Sequence, residues 1–130
     1  MDGLTPSKID LAYAEYKVIF SICDCSLNKH FSFYVLNREQ AERFIKQLRL
    51  FEQLTWSQFG ARPRENGITS EKPNSDSFTM IDEQNTSAQK LVQQYYFHFR
   101  VEGKFRVFGY QKEQLFCITH IDADGRVHHD

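Results

Sequence analysis

The 130-residue sequence lacks the features that would place it in or across a membrane. No apolar run approaches the ~18 to 20 residues that a membrane-spanning helix needs. Residues 1–10 contain neither the basic segment nor the apolar segment of a signal peptide. Cysteine is scarce too, because Cys23, Cys25 and Cys117 are few and odd in number for a disulfide scaffold. These absences predict a cytoplasmic protein with free thiols and no membrane partner.

A strong excess of positive charge is lacking as well. Sixteen basic and 17 acidic residues give a formal net charge of −1 at pH 7. A protein that binds nucleic acid mainly through its overall charge would be strongly basic. The charge is unevenly distributed, since residues 38–64 carry six basic and three acidic groups and residues 65–94 carry two basic and five acidic groups. Any contact with phosphate must therefore depend on a small local cluster of cations.

Several motifs that carry chemistry are also lacking. The sequence contains no Ser-His-Asp triad motif, phosphate-binding glycine loop or dinucleotide fingerprint. Cys23 and Cys25, with His30 or Cys117, offer zinc-binding residue types, but their spacing is not that of a usual zinc knuckle. The sequence therefore predicts no cofactor and no metal site.

Apolar residues, in contrast, are plentiful. The chain is 41% hydrophobic and 15% aromatic, and 12 of its residues are phenylalanine. A chain of this length fits one domain and has enough apolar surface for one core. We predict a single domain over residues 1–130, with a flexible N-terminus at residues 1–12 and a long loop at residues 60–77. That loop is either a functional flap or a mobile insertion.

Changes in the hydrophobic period predict the first elements. Residues 15–25 and 31–36 alternate between apolar and polar side chains, which predicts two strands joined as an antiparallel hairpin. At Asn37 the period changes, and Gln40 stands where a capping box needs it. A helix is therefore predicted over residues 37–52.

Two shorter helical segments follow in the sequence. Leu54, Trp56 and Phe59 have the spacing of a short helical turn that packs on the core. Residues 86–94 predict a second helix, with a hydroxyl residue at its start as the N-cap.

The C-terminal part predicts three more strands, at residues 95–101, 104–110 and 115–122, in an antiparallel meander. A three-residue first loop, with Gly103 in the left-handed conformation, keeps apolar side chains on one face. The apolar pairs in this register are Phe99 with Phe105 and Phe97 with Val107. The predicted fold class is therefore α+β, with one antiparallel β-sheet and two or three helices packed on one face.

The other face of this meander gathers cations and aromatic rings. In the predicted register it carries Arg100 beside Lys104, His98 beside Arg106, and Tyr96 beside Phe108. Facing cations repel each other unless acidic groups or an anionic ligand neutralise them. Aromatic rings among cations suit unstacked bases, so single-stranded RNA is one interpretation and a solvated sheet face is the other. His120 falls next to Phe105 on the apolar face and is predicted to be a hydrogen-bonded core histidine.

Residues 103–129 read GKFRVFGYQKEQLFCITHIDADGRVHH. This segment resembles the C-terminal part of the RelE/ParE-like bacterial toxins, in which a glycine, a variable residue, an aromatic residue and an arginine open the central strand. An apolar strand and a polar terminal segment follow. The resemblance extends over about residues 86–130, with the helix at residues 37–52 in support. It implies a small antiparallel sheet with helices on one face, which agrees with the fold class predicted above.

The resemblance also implies an activity. Many of these toxins are ribosome-dependent mRNA endonucleases, in which the ribose 2′-hydroxyl attacks the adjacent phosphate without a metal. Arg106 would then stabilise the phosphate as negative charge builds in the transition state. His128 or His129 would act as general acid or base, because imidazole titrates near neutral pH. Arg126 is the candidate for a second phosphate contact.

Three more RNA-binding candidates, His98, Arg100 and Lys104, come from the sheet register and not from the family. The partners that follow from this hypothesis are RNA or the ribosome, an antitoxin-like protein, and a second copy of the chain in a homodimer. The alternative hypothesis is a non-catalytic protein-interaction module of the same fold without nuclease activity.

Overall fold

A computed structural model describes residues 9–71 and 94–127. Five strands and two α-helices are present in these residues. In chain order they are β1 (Ile19–Ser21), α1 (Arg38–Phe51), α2 (Trp56–Ala61), β2 (Ile68–Glu71), β3 (Tyr96–Glu102), β4 (Phe105–Lys112) and β5 (Leu115–Asp122). Two short 3₁₀ helices occupy Leu11–Tyr13 and Phe33–Val35. The result is a single α+β domain.

The strands form one mixed sheet in the order β1-β5-β4-β3-β2. The strands from β2 to β5 pair antiparallel, as predicted for the C-terminal meander, but β1 pairs parallel with β5. The prediction of an entirely antiparallel sheet is therefore wrong at this edge. The alternation of side chains in β1 indicates which face they occupy, but it does not specify the partner or its direction.

The predicted hairpin between residues 15–25 and 31–36 is also wrong. Ser32 accepts a hydrogen bond from the Tyr34 backbone N–H and caps a 3₁₀ helix, so the second run is not a strand. The Phe31 carbonyl instead accepts from the Ile121 N–H at 2.9 Å, which fixes Phe31 against β5. A serine that bonds to the local backbone competes with strand pairing in this way.

Both helices begin with capping boxes. Asn37 accepts from the Gln40 N–H at 2.8 Å and Gln40 bonds back to the Asn37 N–H at 3.0 Å, which confirms the predicted start of α1. Thr55 and Gln58 form the same arrangement at α2, where the sequence predicts a helical turn. Each cap satisfies backbone N–H groups that a helix start leaves unpaired.

One side of the sheet, which we call the core face, packs against both helices. The buried residues that meet there include Phe44, Phe51, Trp56, Phe59, Phe97, Phe99, Val107, Phe116 and Ile118. The Trp56 indole N–H donates to the Gln114 carbonyl at 2.9 Å, so its polar atom is satisfied although the ring is fully buried. Each fully buried ring of this kind stabilises the fold by about 1.5–3 kcal/mol.

The opposite side of the sheet, the second face, has a smaller apolar cluster of its own. Its buried members are Phe31, Tyr96, Phe108, Tyr110, Cys117 and Val127. His98 is 9% exposed, Arg106 6% and His120 0%, so the interpretation of this side as a solvated face is wrong. Side chains from outside the sheet, Phe31 and Val127, belong to this cluster.

The register between β3 and β4 differs from the predicted register by two residues. Gly103 has the predicted positive φ, 54°. However, Glu102 pairs with Phe105, and Val101 is the extra residue of a β-bulge. The pairs beyond the bulge are Arg100 with Arg106, Phe99 with Val107, His98 with Phe108, and Phe97 with Gly109. Because the shift is an even number of residues, every side chain keeps its predicted face and only its cross-strand partner changes.

Two other segments are more ordered than predicted. Ile9 is buried and the Asp10 N–H donates to Gln111 Oε1 at 2.8 Å, so residues 9 and 10 are held against the domain, while residues 1–8 of the predicted flexible N-terminus lie outside the described residues. Strand β2 lies within the loop predicted at residues 60–77 and pairs with β3. The rest of that loop lies outside the described residues, as does the helix predicted at residues 86–94 apart from its last residue. Among the described helices, none is long and apolar enough to cross a membrane.

Candidate functional site

A cavity of about 340 Å³ opens on the second face beside β2, β3 and β4. We call it the arginine pocket. Its lining residues are Arg64, Glu65, Thr69, Glu71, His98, Arg100 and Arg106. Three permanent cations, two carboxyl groups and an imidazole therefore surround one space.

The pairing of the strands determines which side chains reach this pocket. His98 in β3 lies between Thr69 of β2 and Phe108 of β4, with all three on the second face. The His98 and Phe108 ring centroids are 5.0 Å apart. Arg100 and Arg106 are direct cross-strand partners one position further along. Because side chains alternate along β3, the His98 imidazole and the Arg100 guanidinium lie on the same side of the sheet.

His98 and Glu71 form a polar pair in the lining of the pocket. His98 Nε2 is 3.0 Å from Glu71 Oε2, and the side chains are 11% and 24% exposed. Because an ionised carboxylate only accepts hydrogen bonds, Nε2 carries the proton in this bond. In the neutral ring, Nδ1 is then the nitrogen that carries the lone pair.

Arg106 is the buried arginine of the pocket, whereas Arg64 and Arg100 are exposed. Across β4 and β5, Arg106 is paired in register with the buried Asp122. The Asp122 carboxylate accepts from the backbone N–H groups of Arg126 and Val127 at 2.8 and 3.0 Å, which fixes the start of the C-terminal segment. Arg100 and Arg106 thus place two guanidinium groups on facing strands, a position in which like charges repel each other.

A tight turn carries the remaining charged residues to the rim. Arg62 Nε donates to the Asn66 carbonyl at 2.6 Å, and the Asn66 N–H donates to the Pro63 carbonyl at 2.9 Å. A Cβ at Gly67 would lie 2.8 Å from the Cβ of Arg62, so the turn closes this tightly only with glycine there. The exposed residues 64–65, which line the pocket, lie within this turn.

Of the predicted site residues, the structure brings His98, Arg100 and Arg106 together. Lys104 and Arg126 are not among the residues that line the pocket. The Arg126 Nε is 3.7 Å from Asp124 Oδ2, and the Lys104 stem lies beside Gly125. His128 and His129 lie outside the described residues, so their catalytic role stays a prediction.

Sequence reasoning missed four lining residues. They are Arg64, Glu65, Thr69 and Glu71. All of them belong to the segment predicted to be a loop. Ile68 is the only apolar residue among residues 68–71, so the sequence has no clear alternation that would have placed Thr69 and Glu71 on one face of a short strand.

His120 is buried, as predicted, but on the other face. It pairs with Phe108, not with Phe105, and its Nδ1 is 2.9 Å from Thr119 Oγ1. The Phe31 ring lies 5.4 Å from the His120 ring. A β-bulge at Thr119 changes the register of β5, and the sequence does not reveal it.

The three cysteines are free, in agreement with the prediction. Burial raises the pKa of the Cys25 thiol to about 11, and it also raises the pKa of the Cys117 thiol. Both are therefore protonated near neutral pH. Within residues 9–71 and 94–127, no group of three or more histidine, cysteine or acidic side chains is arranged to hold a metal ion.

Comparison with protein-family models, curated proteins and solved structures gave no match to this chain. The functional conclusion accordingly depends on the chemistry of the arginine pocket.

Proposed function

We propose that the protein is a toxin-like, metal-independent RNA endonuclease of a toxin–antitoxin system, and that the arginine pocket is its active site. The observation that carries this proposal is the presence in one cavity of an imidazole paired with a carboxylate and three arginines. A general base next to clustered cations is what cleavage of a phosphodiester by its own 2′-hydroxyl requires.

In the proposed reaction, His98 removes the proton from a ribose 2′-hydroxyl, and the 2′ oxygen attacks the adjacent phosphorus. The bond from phosphorus to the 5′ oxygen breaks, so the products are a 2′,3′-cyclic phosphate and a 5′-hydroxyl. The leaving oxygen must take up a proton, and His128 or His129 is the predicted donor. Glu71 orients the His98 ring through the bond at Nε2 and stabilises the imidazolium that forms.

The arginines supply the electrostatic part of the proposal. The phosphorane-like transition state carries more negative charge on its oxygens than the substrate does. Arg106 and Arg100 stand on facing strands, so a phosphate between them receives charge from both. The loss of one such preorganised donor costs about 10²- to 10³-fold in rate.

We also propose membership of the RelE/ParE-like superfamily. In support, β3, β4 and β5 form an antiparallel unit with both helices on one face, and Arg106 lies at the start of its central strand. The strands β1 and β2 extend that unit at its two edges. The proposed partners are RNA on the ribosome and an antitoxin-like protein. The proposed location is the cytoplasm, where three free thiols stay reduced.

The test is tightly controlled induction in bacteria, with growth recorded and new RNA 5′ ends mapped. Wild type is expected to arrest growth and create new ends, and Arg106→Ala is expected to lose both. Because Arg106 is buried, the exposed Arg100→Ala serves as a second variant that does not disturb the core. Arg49→Ala is the matched control, since it removes an exposed arginine from α1 outside the pocket. Normal growth and an unchanged RNA map for a folded wild type would refute the proposal.

A second candidate function, a non-catalytic interaction module, is favoured by one observation. Several large apolar side chains are exposed in and around the edge strand β1. They are Leu11, Tyr16, Ile19, Ile22 and Leu27. An edge strand with exposed apolar residues suits strand addition by a protein partner. This candidate function predicts that cells tolerate expression of the protein. It also predicts that a bound protein partner is lost from the Ile22→Lys variant and kept by the Arg100→Ala variant.

A further inference from the structure

We infer that Glu65 gives the arginine pocket selectivity for a guanine base in single-stranded RNA. This inference rests on the proposed function, because it concerns the substrate of the same site. It begins with a feature that phosphate binding alone does not explain, which is a carboxylate at the rim of a cationic pocket.

Glu65 lines the pocket together with Arg64 and Arg100, yet no hydrogen bond or ion pair of its carboxylate occurs within the part of the chain that the structure describes. The other acidic residue of the lining, Glu71, is already bonded to His98 at 3.0 Å. The turn at residues 62–67 fixes the backbone that carries Glu65. Glu65 is therefore the carboxylate positioned to accept hydrogen bonds from a ligand.

A carboxylate so close to the proposed phosphate site weakens phosphate binding, because like charges repel. Its presence is explained when the same ligand also brings hydrogen-bond donors. On RNA bases, guanine places two adjacent donors, N1–H and N2–H, on its Watson–Crick edge, and they match the two oxygens of one carboxylate. Cytosine and adenine each offer a single amino group next to an acceptor there.

The volume of the pocket and the accessibility of the base edge fit a guanine base in single-stranded RNA. A cavity of about 340 Å³ lies at the low end of ligand pockets, which suits one nucleotide and not several stacked ones. The Watson–Crick edge of a base is occupied in a duplex and accessible in a single strand. The substrate class is therefore single-stranded RNA in which a guanosine is adjacent to the phosphate bound by the arginines.

The first test maps the new RNA 5′ ends in cells that express wild type, Glu65→Gln or Glu52→Gln. Glu52 is the matched control, because it is an exposed glutamate at the end of α1 and does not line the pocket. Guanine is expected to be enriched at a fixed position next to the cuts for wild type and Glu52→Gln. Glu65→Gln is expected to cut less next to guanine and so to lose that enrichment, because an amide has one acceptor oxygen where the carboxylate has two.

The second test measures binding of purified protein to short single strands that carry one guanosine or, in its place, one inosine, which lacks the N2 amino group. A bidentate pair discriminates by about 1–3 kcal/mol, so wild type is expected to prefer guanosine by at least about fivefold. For Glu65→Gln we expect a ratio near one, with binding of the inosine strand unchanged or tighter. A purely electrostatic role would change both affinities equally and leave the ratio intact.

The outcomes separate this inference from the function on which it rests. If folded wild type neither cuts nor binds RNA, both are overturned. If it cuts or binds RNA without a guanine preference, or with one that Glu65→Gln retains, the selectivity inference is overturned and the nuclease proposal stands.

Discussion

Arg100→Ala is expected to make the protein more stable and less active at the same time. Arg100 stands directly across from Arg106, and its side chain has no ion pair or hydrogen bond within the described residues. Its backbone carbonyl accepts from Gln47 Nε2 at 3.3 Å, and alanine keeps that bond. The substitution therefore removes a like charge from the position opposite Arg106 and breaks no hydrogen bond or ion pair that the Arg100 side chain makes with the described residues.

The magnitude follows from that geometry. Like charges directly opposite each other on neighbouring strands cost up to about 1 kcal/mol, and exposure of Arg100 reduces this, so about 0.5 kcal/mol is expected. For a chain of this size the gain corresponds to roughly 2 °C in Tm. Arg100→Ala also removes a cationic donor from the proposed transition state, so RNA cleavage is expected to fall about 100-fold.

Thermal unfolding at low and high salt measures the expected gain in stability. A quantitative RNA cleavage assay measures the expected loss of activity. High salt is expected to abolish the gain in Tm, because it screens the repulsion in the wild type. Arg49→Ala should instead lose a few tenths of a kcal/mol, since Arg49 is a cation in the last turn of α1. A clear loss of stability in Arg100→Ala would refute the reasoning, because Arg100 would then be a structural residue.

Three other predictions concern the proposed base, the packing and the thiols. Glu71→Gln removes the charge that supports a protonated His98, so cleavage should fall at least tenfold while RNA binding, measured by fluorescence anisotropy, changes less than about threefold. Gly109→Ala should cost about 2 kcal/mol or more in urea unfolding, because its Cβ would clash with the Cys117 carbonyl oxygen, and an unchanged midpoint would contradict the close approach of the two strands. The raised pKa of Cys25, about 11 against 9.0, stabilises the folded state below pH 9, and this contribution is lost as the pH rises from 9 to 11. Unfolding free energies in that window should fall less steeply for Cys25→Ala than for wild type.

Local signals explain why parts of the fold were predictable from the sequence. Asn37 and Gln40 define a helix start through their own hydrogen bonds, and Gly103 supplies a positive φ that few other residues adopt. The faces of β3 and β4 were predicted correctly because they depend on a period of two. These features depend on residues that are close together in sequence.

The predictions that were wrong concern contacts between residues that are far apart in sequence. The parallel pairing of β1 with β5 and the contact of Phe31 with β5 link segments about 90 to 100 residues apart, and alternation in one segment does not specify the other. The bulges at Val101 and Thr119 shift the register, and the nearby Gly103 and Gly109 do not specify which residue is the extra one.

The candidate site was predictable from the sequence only where its residues lie on strands with a clear period. His98, Arg100 and Arg106 were found because they share one face of two adjacent strands. Glu71 was missed because β2 has four residues, too few for a clear periodic pattern. Glu65 reaches the pocket from a turn, where side-chain direction follows no period.

The chemistry of the RNA ends produced in cells tests the central claim most directly. We predict that new fragments made on induction of wild type end in 2′,3′-cyclic phosphates, and that His98→Asn, expressed at the same level and folded, makes none. Fragments that end in 3′-hydroxyls, or cyclic-phosphate ends that persist in His98→Asn, would contradict the assignment of the arginine pocket as a metal-independent RNA-cleaving site.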